Sequence, residues 1–152
     1  MLAAAGGGLF GLLAFWFRDG RPAPLSLMNG ALGGLVAVTA CCHTVTPLSA
    51  IILGAVAGVI ATLGAEALLR LKIDDVVGAV PVHLFNGIWG TLCVAIFNEG
   101  GFKMEALGIQ ALGAFSITGA AFFTALIGFK LIDLVVGLRA TEEEELDGLD
   151  FS

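Results

Sequence analysis

The chain has 152 residues, a length that suits one domain. Hydrophobic residues make up 58% of it, charged residues only 13%, and mean hydropathy is +0.99. A soluble domain carries about twice that share of charge, so the ordinary soluble fold is excluded, and the lack of a basic patch excludes a nucleic-acid binder. The net charge of −6 is uneven: every Lys and Arg lies at or before Arg139, balanced there by seven acids, while six further acids crowd into TEEEELDGLD, residues 141–150. A neutral apolar body therefore carries an acidic tail. The 22 glycines fit a polytopic helical membrane protein, where small residues let helices approach closely.

In chain order, uncharged apolar runs are compared with the ~20 residues that cross a bilayer. Residues 1–17 form the first. The run has no basic lead-in, and its glycines and bulky FWF end do not suit a signal peptide. It is read as a transmembrane helix cut at its start. Residues 25–65 contain no Asp, Glu, Lys or Arg, too long a run for one span. Pro47 divides it, because proline opens helices better than it continues them. This predicts helices over 26–42 and 47–69. Further spans are predicted over 76–98 and 104–137. The result is an all-α polytopic membrane domain, 1–139, with five transmembrane helices, and an acidic tail, 140–152.

The loops on one side hold Arg18, Arg21, Arg70 and Lys72, and the C-terminal end adds Lys130 and Arg139; the other side holds only Lys103. The positive-inside rule then puts the tail in the cytoplasm and the N-terminus outside. Gly30 and Gly34, and Gly54 and Gly58, are GxxxG pairs that predict close helix packing. Cys41, Cys42 and Cys93 have no zinc-like spacing and read as small buried apolar residues.

One side chain stands out. His83 lies in DDVVGAVPVHLFNGIWG, residues 74–90, seven residues into the fourth span and roughly 10 Å past its expected start. Intramembrane ionisable residues usually face a bundle interior or a pathway. Its helical neighbours are Ala79, Val80, Asn86 and Gly87, and Ala79, Gly87 and Gly90 predict open space beside it. Burial there favours a neutral imidazole, which both donates and accepts hydrogen bonds. The competing reading is a histidine satisfied by a backbone carbonyl. His43 reads as interfacial. Asp74 and Asp75 open the fourth span, where acids cap free N–H groups, with partner contact as the alternative. Lys130 and Asp133 are spaced to pair, Trp16 and Trp89 suit an interfacial belt or packing, and Glu142 to Glu145 reads as a solvated charge run. No catalytic triad, metal cluster or phosphate-binding loop is present in the sequence, so neither an enzyme nor a cofactor is expected.

Four collinear stretches carry a resemblance: NGALGGLVAVTACC (29–42), TPLSAIILGAVAGVI (46–60), KIDDVVGAVPVHLFNGIWGTL (72–92) and FKLIDLVVGLRATEEEELDGLDFS (129–152). Together covering about half the chain, they resemble the C-terminal part of the ammonium transporters, the Amt/Mep/Rh family. The resemblance implies an eleven-span homotrimeric protein of the plasma or inner membrane, of which these spans are the seventh to eleventh. It implies that His83 is the second of two pore histidines, the first lying in an absent span, and that Ala79 and Thr39 match pore-region positions. It also implies that Asp74, Asp75 and the tail acids Glu142, Glu143, Glu144 and Glu145 lie where relatives meet PII-type signalling proteins. Ammonium would shed a proton, ammonia would cross the apolar lane, and the proton would follow separately. The chain departs from the pattern in lacking the first six spans, in Leu84 where many relatives have glycine, in Gly78 where an acid is common, and in ending at Ser152. The alternatives are a sensing or regulatory membrane module of the same fold, and a degenerate remnant.

Overall fold

The computed structural model describes residues 1–97 and 101–148. Among these every regular element is helical: α1 (Leu2–Asp19), α2 (Pro24–Thr39), α3 (Pro47–Arg70), a π-helical turn (Val80–Phe85) running into α4 (Asn86–Ile96), α5 (Met104–Val136) and α6 (Glu142–Asp147). Two of them, α3 and α5, are long and apolar enough to cross a membrane. The chain divides into two compact units, Met1–Phe115 and Ser116–Ser152.

Local chemistry sets the ends. α1 stops at Gly20, whose left-handed conformation (φ 72°) turns its N–H onto the Trp16 carbonyl. Pro24 and Pro47 open α2 and α3, where a missing N–H costs nothing. Thr46 caps α3, its hydroxyl accepting the Ser49 N–H at 3.2 Å. The expected break at Pro47 is therefore observed. α2 ends at Thr39, three residues early, and turns cover 40–44.

The first unit is packed backbone against backbone. A Cβ at Gly34 or Gly54 would strike the Ala3 carbonyl, and one at Gly7 or Gly58 would strike Gly30 or Gly7. Both GxxxG pairs thus seat α1 against α2 and α3, as their spacing predicts. Thr62 donates its hydroxyl to the Gly11 and Gly58 carbonyls, 3.1 Å each, tying α3 to α1. At one end Arg18 of α1 pairs with Glu66 of α3, which also pairs with Arg70. Cys41 and Cys93 are buried with Ala37, Leu53 and Ala57. Cys42 corrects the expectation: it is exposed, because the helix has already ended and the chain turns away.

In the second unit Lys130 makes no ion pair among the described residues, and the Asp133 carboxylate instead accepts the Leu138 N–H at 3.0 Å, closing the end of α5. The expected solvated charge run is a short helix: Thr141 and Glu144 form a reciprocal capping box, and Arg139 pairs with Glu145. The Thr141 bonds hold the Glu144 carboxyl below the ordinary glutamate value. Asn98, the expected end of the fourth span, and Asp150 in the tail lie outside the described residues.

Candidate functional site

The segment carrying His83 begins with a complete account of its free donors. The first four N–H groups of a helix lack intrahelical partners. Here Asp75 takes two of them, Ala79 N–H at 2.8 Å on Oδ1 and Val80 N–H at 2.9 Å on Oδ2. Pro81 has none to satisfy, and Val82 N–H reaches the Gly78 carbonyl at 3.1 Å. Gly78 makes the turn possible with φ 75°. On α2, Asn29 donates to the Val77 carbonyl at 3.1 Å and lies where a Gly78 Cβ would fall, 2.6 Å away. Asp75 therefore does the capping expected of it, while Asp74 is exposed.

The helix starts later than the apolar run suggests. Val76 and Val77 belong to the turn, so His83 is the fourth residue of the π-helical turn, about 5 Å along it rather than 10 Å. Of the polar pair at 74–75, Asp75 acts at a distance, through its side chain, instead of occupying the first helical positions.

The faces are also sorted differently. Pro81, Val82, Asn86 and Gly90 are buried. Gly90 abuts Ala37 of α2, and a Cβ on Gly64 of α3 would come within 2.7 Å of the Phe85 ring and 2.8 Å of Pro81. His83 and Ala79 are exposed, and a Cβ on Gly87 would meet nothing within 4 Å. The expected open lane thus holds at Ala79 and Gly87 and fails at Gly90, which packs against α2, while Asn86, expected only as a helical neighbour of His83, is buried. Within this chain His83 is not buried, because the helices present cover the opposite face. Its ring makes no hydrogen bond among the described residues, so the carbonyl-satisfied reading has no partner here.

Thr39 is not brought to His83. α2 runs alongside the broken segment, with Asn29 beside Val77, Gly33 beside Asn86 and Ala37 beside Gly90. Thr39 is two residues beyond Ala37 and lies roughly 10 Å or more past His83 along the axis; its hydroxyl donates to Val36 at 2.7 Å. Trp89 serves packing, donating Nε1–H to the Leu53 carbonyl at 3.2 Å, and Trp16 and His43 are exposed.

Two adjoining hollows open at the end where Asp75 caps the segment. One, about 240 Å³, is lined by Phe15, Arg18, Ser26, Thr62 and Glu66; the other, about 290 Å³, by Leu68, Ile73, Asp74, Asp75 and Gly78, with Asn29 shared. His83 lines neither. Among the described residues no three His, Cys, Asp or Glu side chains cluster tightly enough to hold a metal ion. Sequence reasoning missed Asn86 and the interruption at Pro81. The signals were an amide and a proline inside an otherwise apolar run.

A sequence model described as Ammonium Transporter Family matches residues 1–152. The chain is 37% identical to the ammonium transporter Amt2 of Archaeoglobus fulgidus, over 99% of this chain and 36% of that protein. It is 44% identical to the putative ammonium transporter sll1017 of Synechocystis, over 98% and 34%. Among solved structures it is similar to one titled Sensor Amt Protein, with TM-score 0.89 and 40% identity over 98% of this chain and 39% of the other. It is also similar to Candida albicans Mep2, with TM-score 0.83 and 27% identity over 94% and 35%. The chain spans about a third of the length of the curated relatives it matches.

Proposed function

The chain belongs to the ammonium transporter family, and on that premise we propose that it forms the C-terminal, five-span part of a pore for ammonium or ammonia, with His83 on the conduction path. The observation that carries this reading is the placement of His83. It stands exposed on a face flanked by Ala79 and Gly87, on a helix whose opposite face is fixed by Gly33, Gly64 and Ala37. That leaves the imidazole free for a partner outside this chain. A bare cation pays a prohibitive desolvation cost in hydrocarbon, whereas a small neutral molecule does not. The imidazole gives ammonia a polar contact and a released proton an acceptor.

The protein sits in the plasma or inner membrane with its tail in the cytoplasm, and the complete assembly is a homotrimer. Arg18, Arg70 and Glu66 converge at one end of the first unit, which supports taking that end as the cytoplasmic side. Ala79 lines the path with His83, and Thr39 shapes the wall farther along. A PII-type signalling protein meets the acidic segments at Asp74–Asp75 and at Glu142, Glu143, Glu144 and Glu145. Of these, Asp74 is the more available of its pair, since both Asp75 oxygens already accept N–H bonds.

The test is His83→Ala in the protein as its gene encodes it, with methylammonium uptake measured in whole cells. Uptake should fall roughly tenfold, the scale of losing one well-placed hydrogen bond. Unchanged uptake with unchanged selectivity would remove His83 from the path. A second reading, a sensing module, is favoured by the likeness to the structure titled Sensor Amt Protein. Ligand-dependent change in a partner's activity, with no flux in proteoliposomes, would establish it over the first.

A further inference from the structure

We propose that Asn86 is a positioning residue for His83: its side-chain amide fastens the π-helical turn that presents the imidazole. The inference rests on the reading of His83 as a pore residue, and begins from the backbone. In an α-helix the Pro81 carbonyl would accept the Phe85 N–H. In a π turn each N–H reaches back five residues, which takes Phe85 off Pro81 and would leave that carbonyl to the Asn86 backbone N–H. The Asn86 backbone N–H points to the His83 carbonyl. The Pro81 carbonyl accepts the Asn86 side chain instead, at 3.1 Å. A carbonyl only accepts, so the atom facing it is the amide nitrogen.

Asn86 is fully buried, and its Oδ1 has no partner among the described residues. An unpaired buried acceptor is destabilising, and an apolar side chain of similar size would avoid it. The amide's favourable contribution here is therefore its donor. The neighbouring helices are shaped around this bond. Gly33 of α2 leaves room where a Cβ would overlap Nδ2, and Gly64 of α3 leaves room for Pro81 and Phe85. Without the donor, the freed carbonyl favours return to the α ladder, which removes one residue from the turn. That rotates the stretch carrying His83 against α4 by up to roughly 100°, while Asp75 still holds its start.

The experiment uses the protein as its gene encodes it, in liposomes, with N86M and N86L. Methionine and leucine keep roughly the volume, and neither has a proton to donate. Both variants should fold and elute as the wild type does, yet conduct methylammonium at least about tenfold more slowly. The His83 ring signals should move in NMR spectra of protein labelled at histidine. Unmoved ring signals, with or without a loss of flux, overturn the proposal. H83A in the same vesicles reports on the pore reading alone, since the ring signals of the Asn86 variants are read independently of flux. Where neither variant folds, wild-type hydrogen exchange decides. The Asn86 side-chain protons should be protected as long as the α4 amides are, and exchange within the dead time overturns the proposal.

Discussion

The α1–α3 bundle and the segment Val80–Ile96 share one composition, apolar and rich in small residues, but are held by opposite means. In the bundle, Gly7, Gly30, Gly34, Gly54 and Gly58 bring helix backbones together, and Thr62 adds a buried hydroxyl bond from α3 to the Gly11 carbonyl of α1. In the broken segment, Asp75, Asn29 and Asn86 each pair a backbone group that the interruption would strand. Continuous helices satisfy their own backbone, so close packing asks only for small side chains. A break frees donors and carbonyls, and polar residues must answer them. The break is also where a side chain can be aimed independently of the helix around it, and His83 sits there.

The largest expected effect separates these two uses of glycine. Gly54→Val places a Cβ onto the Ala3 carbonyl, a backbone atom that cannot swing aside. It should destabilise the folded protein by about 3 kcal/mol or prevent its accumulation. Gly87→Ala adds a methyl to open space on the His83 face and should raise stability by up to about 1 kcal/mol through helix propensity. Thermal unfolding in detergent compares the two. Equal costs at both positions would mean that the Gly87 face is packed as tightly as the bundle, and the contrast would collapse.

A smaller effect probes the cap. Asp75→Ala removes both acceptors from the start of the π turn and should cost about 1–2 kcal/mol. Asp75→Asn keeps one acceptor and should fall between. Both act on the segment's first turn, so hydrogen exchange at Ala79 and Val80 should quicken while α3 amides stay as they are. Equal quickening along α3 would mean that the cap supports the whole bundle and not the break alone.

What could be read from the sequence follows the same division. Helix limits in the bundle were legible because apolar runs, Pro47 and charge placement act locally, and α3 begins where Pro47 predicts. Glycine spacing predicted close packing correctly, though not the partners: Ala3, with no special signature, faces both Gly34 and Gly54. In the broken segment hydropathy put the start at Val76, since Val76 and Val77 look like span and not turn. Nothing in a hydropathy pattern distinguishes a five-residue ladder from a four-residue one. That register decides which of Gly87, Asn86 and Gly90 shares a face with His83, so Gly90, expected in the open lane, is instead buried, as is Asn86. Asp75 was legible as a cap because acid before a helix is a local signal. The bond from Asn86 to Pro81 was not, since it exists only once the ladder has slipped.

The capping box of α6 sharpens the comparison by separating capping from burial. Thr141 and Glu144 cap one another's backbone as Asp75 caps Ala79 and Val80, but in an exposed acidic helix. The Thr141 backbone and hydroxyl bonds hold Glu144 below the ordinary glutamate value of about 4.3. A carboxyl whose folded value is depressed stabilises the folded form above its unfolded value. That contribution fades as pH falls through the depressed folded value. Glu144 should therefore titrate below the ordinary glutamate value, and the α6 amide signals should lose their helical shifts over the same acidic range. Thr141→Ala should return Glu144 to the ordinary glutamate value. The His83 ring signals should be the same in that variant as in the wild type. If Glu144 titrates at the ordinary glutamate value in the wild type, the box does not persist in solution. Capping would then hold only where packing enforces it, as at Asp75.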